Sequence, residues 1–305
     1  MNGTDGELYY KFSRFCKEHY GKNVQRICID GGFTCPNRDG RCGTGGCIFC
    51  GERGAGDYID GRLSVREQVG KRIDGYHGRK RFIAYFQSFT STYAPVSRLK
   101  ELYDEALYSD LILALAVATR PDCIDEPTVG LLESYKTRCD VWVELGLQTS
   151  DDRTARFINR GYDSAEFARA AELLTAHGIP FVVHLMIGLP GEGMEQLAET
   201  VRFINRFKPW GIKLHSVYVM RGTVLERLYR GGSYTPPTLA EYVRGAAYVL
   251  SHIPPETVVH RLTGDCPPDL LTAPDWSADK GRVLDELFKF MRENGLRQGS
   301  LYSPV

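Results

Sequence analysis

The chain has 305 residues, 43% of them hydrophobic and 25% charged, and 38 basic side chains balance 38 acidic ones. That composition excludes a largely disordered chain. Zero net charge excludes a global field for nucleic acid and leaves only local basic patches. The longest apolar run, Leu111 to Ala118, is too short to cross a bilayer and reads as a buried strand. The N-terminal MNGTDGELYYKF lacks a basic region followed by an apolar run, so no signal peptide is read. A cytoplasmic setting keeps thiols reduced, and clustered cysteines then point to metal or redox chemistry.

In chain order, a helix is expected from Glu7 to His19, where Tyr9, Phe12, Phe15 and Cys16 recur near helical spacing. A strand from Arg26 to Asp30 runs into a cysteine-rich loop. Helices at 65–76, 96–108 and 127–135 precede the strands Arg81 to Gln87, Leu111 to Thr119 and Val141 to Gln148. Helices around Thr154 and from Ser164 to His177 lead to the strand Pro180 to Gly188. A helix from Met194 to Phe207 leads to the strand Gly211 to Val219. Six apolar strands alternating with helices make an α/β fold with a parallel sheet, an incomplete (β/α)6 barrel of the TIM type. The order breaks after Met220. Residues 221–305, with helices at 239–251 and 278–294, form an expected C-terminal extension packed on a 1–220 core.

Between Thr34 and Gly51 the sequence TCPNRDGRCGTGGCIFCG gathers Cys35, Cys42, Cys47 and Cys50. Cys47 and Cys50 flank two residues, a spacing that aims two sulfurs at one face of a metal centre, with Cys35 as a third ligand. The glycines between them let the backbone curl closely around a cluster. A cubane cluster on three thiolates leaves one iron open. The competing reading is a structural zinc site on all four cysteines, but such sites use two close pairs. Here only one close pair exists. The loop follows the first strand of the α/β pattern, where catalytic groups gather.

Taken together, GGFTCPNRDG, GGCIFCGERGAGD, FIAYFQSFTSTYAP, TRPDC, VWVELGLQ, INRGYD, HLMIGLPGE and HRLTGD resemble the radical S-adenosylmethionine enzymes. The narrower resemblance is to the bacterial YhcC/YtqA type, which shares a barrel pattern with the elongator catalytic subunit. It implies a radical SAM barrel in which Cys35, Cys47 and Cys50 hold a [4Fe-4S] cluster. It further implies that S-adenosylmethionine binds the open iron and is cleaved to a 5′-deoxyadenosyl radical. A flavodoxin or ferredoxin is then the implied electron donor, and no membrane partner is implied.

By the same resemblance Phe49 packs near the adenine, and Gln87 meets the methionyl amino group. Gln148 contacts the ribose or methionyl group, Arg160 pairs with the methionyl carboxylate, and His184 stands where relatives carry an acidic ribose ligand. A core role is the competing reading for Phe49, Gln87 and His184, and a surface ion pair for Arg160. Ala118 departs from the pattern, because many relatives carry a carboxylate there.

Arg38 and Arg53 beside the cysteine loop, and Arg261 in HRLTGD, are candidate phosphate contacts. The YtqA type is associated with wobble uridine modification in tRNA, converting carboxymethylaminomethyl at C5 to aminomethyl. The implied partner is therefore tRNA. A small-metabolite or protein substrate, and a non-catalytic zinc-stabilised module, stay open at this point.

Overall fold

A computed structural model describes residues 7–54, 56–76 and 80–304. The helices are α1 (Phe12–Tyr20), α2 (Val65–Asp74), α3 (Val96–Ala106), α4 (Glu126–Ser134), α5 (Asp152–Phe157), α6 (Ser164–Ala176), α7 (Met194–Asn205), α8 (Val224–Arg230), α9 (Leu239–His252) and α10 (Lys280–Glu293). The strands are β1 (Val24–Ile29), β2 (Arg81–Phe86), β3 (Ile112–Thr119), β4 (Asp140–Gln148), β5 (Phe181–Ile187), β6 (Gly211–Ser216), β7 (Val219–Met220), β8 (Val258–Arg261) and β9 (Leu271–Ala273).

Six expected strands, β1 to β6, pair in parallel and in chain order. A seventh, β8, pairs in parallel with β6. It comes from the region read as an extension, so that region completes the sheet as well as covering it. Its four residues VVHR were too few, and too close to PPET, to read as a strand. The short ribbon β7–β9 and helix α8 were likewise not read. The sheet curls until its two edges meet through side chains: Arg26 on β1 lies 3.0 Å from Nδ1 of His260 on β8.

Helix α1 begins later than expected. Residues 8–11 are held instead against the far edge: Val259 N–H donates to Tyr10 C=O at 2.8 Å, and Gln298 N–H donates to Leu8 C=O. Backbone pairing with a strand edge outweighs a weak local helix preference.

Strand alternation sorts the two faces. On β3, Leu115 and Val117 face the helices, while Ala114, Ala116 and Ala118 face inward. Three alanines on one inner strand leave room for large neighbours, Tyr85 on β2 and Trp142 on β4. Trp142 packs at a tilt against Trp210 with ring centroids 5.3 Å apart and meets Phe12 of α1 at 6.1 Å. This aromatic floor closes the barrel at the N-terminal ends of the strands and leaves the C-terminal ends open.

Candidate active site

Above the floor the inward positions turn polar. Glu144 of β4 is fully buried, accepts from Tyr85 Oη at 2.7 Å, and lies 2.8 Å from His184 Nε2. Lys213 of β6 forms an ion pair with the same carboxylate and donates to Tyr85 Oη at 2.9 Å. Burial alone would raise the Glu144 carboxyl, but Lys213 and then His184 hold it well below its ordinary value. Burial draws Lys213 down to about 7, against the pull of Glu144. Four side chains from four strands are thus locked together by groups that cannot be left unpaired in a dry interior.

The cysteine loop sits over this layer. Cys50 N–H donates to Cys47 C=O at 3.0 Å, which closes the turn carrying both sulfurs. Between them, buried Ile48 donates to Ile158 C=O and accepts from Leu225 N–H. Asn37 Nδ2 donates to Asn159 C=O, and Asn159 Nδ2 donates back to Gly46 C=O at 2.8 Å. Gly46 sits at φ 76, and a Cβ there would lie 2.9 Å from Arg38 Nε, so glycine is required. The anchor is itself placed by α5, whose N-cap Asp151 accepts from the N–H groups of Arg153 and Thr154.

Cys35, Cys47 and Cys50 line one cavity of about 230 Å³ at the C-terminal ends of the strands. Cys42 does not. It lies behind Arg120, with Sγ 3.4 Å from Nη2. Among the described residues no three His, Cys, Asp or Glu side chains close on a single-ion position. The three cysteines that share the cavity offer thiols, the donor group that iron–sulfur clusters take. A hydrogen bond from Cys47 draws Cys50 down to about 7, with Arg38 and Arg120 adding to it, while Cys47 moves the opposite way. Thiolate is the metal-binding form, and Arg120 Nη1 also lies 3.9 Å from Cys35 Sγ. The donor set and its cationic surroundings therefore fit a negatively charged iron–sulfur cluster.

Phe49, Gln87, Gln148, Arg160 and His184 all line the same cavity. A second lobe of about 200 Å³ shares Phe49, Gln87, Gln148 and His184 and reaches Tyr218 and Asp265. Gln148 holds φ 63 at the end of β4, an uncommon backbone state outside glycine, and accepts from Tyr162 Oη at 3.2 Å. Arg160 is completely buried. It donates to the carbonyls of Leu147, Thr149 and Tyr162, and its Nη2 is 3.5 Å from Asp152. The structure thus gives Arg160 a clamping position at the end of β4 through Nε and Nη1, while its Nη2, buried without a hydrogen-bond partner, leaves one arm of the fork for a ligand. Tyr162 lies between two guanidinium groups, 4.7 Å from Arg120 and 4.4 Å from Arg160.

The three candidate phosphate contacts separate. Arg38 donates to the carbonyls of Cys50, Gly51 and Glu52, so it holds the cysteine loop. Arg53 is exposed and donates to Ile59 C=O. Arg261 faces inward and lines both lobes. Ala118 borders the inner lobe without offering a polar group. Glu144, Lys213, Tyr85 and Tyr162 were missed from sequence. A signal existed for the first two, since each is a charge at an inward position of an otherwise apolar strand. A larger cavity of about 530 Å³, between the 188–194 loop and residues 233–237, contains no cysteine.

Residues 38–204 match the Radical SAM superfamily model, and 209–293 match the Radical_SAM C-terminal domain. The chain is 36% identical to YtqA of Bacillus subtilis, covering 96% of this chain and 92% of YtqA. It is 30% identical to the tRNA uridine(34) acetyltransferase of Dehalococcoides mccartyi over 53% of this chain and 35% of that protein. The archaeal Elp3 of Methanocaldococcus infernus superposes with a TM-score of 0.70 at 20% identity, covering 90% of this chain and 64% of that one. No helix among the described residues is long and apolar enough to cross a membrane.

Proposed function

The chain belongs to the radical S-adenosylmethionine superfamily, and from that premise we propose that it modifies the C5 side chain of the tRNA wobble uridine, converting carboxymethylaminomethyl to aminomethyl. Loss of a hydrogen atom and of one electron from the carboxymethyl carbon would give an iminium that water hydrolyses, so the two-carbon unit leaves as glyoxylate and S-adenosylmethionine is the net two-electron oxidant. Enzymes of the superfamily use a [4Fe-4S] cluster and S-adenosylmethionine, which together supply a radical able to abstract an unactivated hydrogen. Cys35, Cys47 and Cys50 would hold the cluster. Phe49, Gln87, Gln148, Arg160 and His184, which line the cavity, would face the cofactor. An electron-donor protein of the flavodoxin or ferredoxin kind would serve it.

The observation that carries the substrate reading is electrostatic. The chain is neutral, yet five cations line the inner lobe: Arg120, Arg160 and Lys213 have Asp122, Asp152 and Glu144 beside them, and Arg38 and Arg261 have no ion-pair partner among the described residues. An opening with that excess attracts an anionic substrate. The similarity to a tRNA uridine(34) acetyltransferase supports RNA as its class. A lobe of about 200 Å³ admits one base and its substituent, so the uridine would enter turned out of its stack. Mass spectrometry of tRNA nucleosides, from cells with and without the gene, tests the reading. Carboxymethylaminomethyluridine should accumulate and aminomethyluridine should fall when the gene is lost. Unchanged nucleosides would refute it.

A further inference from the structure

Arg261 differs from the other cations of the cleft. Arg38 holds loop carbonyls, Arg120 pairs with Asp122, Arg160 clamps β4 and Lys213 pairs with Glu144. Among the described residues Arg261 has no hydrogen-bond or ion-pair partner, although it is half-buried at the junction of the two lobes. His215, on the neighbouring strand β6, lines both lobes as well, and its Nε2 is buried without a partner. Burial first, and then the charge of Arg261, hold His215 well below its ordinary value, so it is neutral and able to donate one hydrogen bond. The buried Nε2 of His215 is costly to leave unsatisfied, and an anionic ligand in the cavity would complete it together with the unpaired charge of Arg261.

We propose that Arg261 and His215 form a carboxylate subsite that reads the carboxymethyl group of the substrate. This rests on the wobble-uridine reading above. The reacting side chain carries a carboxylate that the product lacks, so a guanidinium fork at this point distinguishes substrate from product. It also places the carboxymethyl end in the lobe that adjoins the cysteine cavity. The acids near the outer lobe do not neutralise the subsite through a direct contact: Asp265 pairs with Lys280 at 2.6 Å, and Asp57 makes no ion pair with Arg261.

The experiment measures binding of tRNA bearing carboxymethylaminomethyluridine and tRNA bearing aminomethyluridine, across a salt series, to the reconstituted protein and its Arg261→Gln, Arg261→Lys and His215→Gln variants. Wild type should prefer the carboxymethyl form. Arg261→Gln should lose that preference by about tenfold to hundredfold, as for one lost charge-assisted contact. Arg261→Lys should recover it only in part, and His215→Gln should reduce it less. Equal loss for both RNAs, with a salt slope lower by about one, would make Arg261 a phosphate contact. Weaker S-adenosylmethionine binding with RNA preference intact would make it a cofactor contact. Either result overturns the proposal. If neither RNA binds, the tRNA reading fails, and the same comparison with the two free nucleosides decides the subsite. Preference for the carboxymethyl nucleoside that depends on Arg261 upholds it, and no preference overturns it.

Discussion

Replacing Lys213 by Met strands the carboxylate of Glu144 in the barrel. The side chains of Lys213 and Glu144 are 2% and 0% exposed, so water cannot replace the lost partner. Removing one member of a buried pair costs about 3–5 kcal/mol, because an uncompensated charge stays behind. Tyr85 and His184 still face Glu144 at 2.7 and 2.8 Å, which argues for the lower end. At about 2–4 °C per kcal/mol, a cost of about 3 kcal/mol lowers Tm by about 6–12 °C. The assay is thermal and urea unfolding of the cluster-free protein under reducing conditions at pH 6.5, where the ammonium is largely retained. Arg98→Ala supplies the contrast, since Arg98 and Glu101 form an exposed pair whose loss costs at most about 1 kcal/mol. Adding Glu144→Gln to Lys213→Met should recover part of the loss, because no buried charge is then left unpaired. A Lys213→Met cost no larger than that of Arg98→Ala, or strict additivity in the double variant, would show that Glu144 does not depend on Lys213 for its buried charge.

Alanine at Cys35, Cys47 or Cys50 should abolish iron retention after anaerobic reconstitution, whereas Cys42→Ala should keep it; equal loss at Cys42 would restore the four-cysteine zinc site. Arg53→Glu should weaken tRNA binding at unchanged iron content, while Arg38→Glu should lose iron because its loop carbonyls lose their donor, and iron analysis separates the two. Arg160→Ala leaves buried carbonyls without donors, so unfolding should report a loss of about 1–3 kcal/mol per group stranded; a variant as stable as wild type would deny the clamping position. Hydrogen bonding to Glu133, opposed by desolvation and helped by Glu126, raises the His177 pKa. The stabilisation from His177 is therefore complete below its unfolded value of about 6.5 and is lost as pH rises through the higher folded value. An NMR titration should place His177 above 6.5 and Glu133→Gln should bring it down; a value at or below 6.5 in wild type would contradict the pairing.

The barrel was legible because buried parallel strands appear as apolar runs such as Leu111 to Thr119, and helices separate them. Strand β8 escaped because four residues beside a proline pair carry no periodic signal; its partner, β6, is distant in sequence. At the site, the Cys47 and Cys50 spacing was legible because a short turn fixes both sulfurs locally. Arg160 was harder to place. Its motif marks the right neighbourhood, but only the fold shows Leu147 and Thr149 carbonyls converging on its guanidinium. Arg38 and Arg261 looked alike as candidate phosphate contacts, and the tertiary structure separates a loop brace from an unpartnered group in the cleft. Glu144 and Lys213 are single charges 69 positions apart, and pairing across strands is what reveals them as one unit.

The proposed activity is radical chemistry on a tRNA wobble uridine in the three-cysteine cleft. The most direct test is anaerobic turnover of reconstituted protein with S-adenosylmethionine, a reductant and tRNA from cells lacking the gene. The account predicts 5′-deoxyadenosine together with loss of carboxymethylaminomethyluridine and gain of aminomethyluridine, with both products absent in Cys47→Ala. Formation of 5′-deoxyadenosine while every tRNA nucleoside stays unchanged would contradict it.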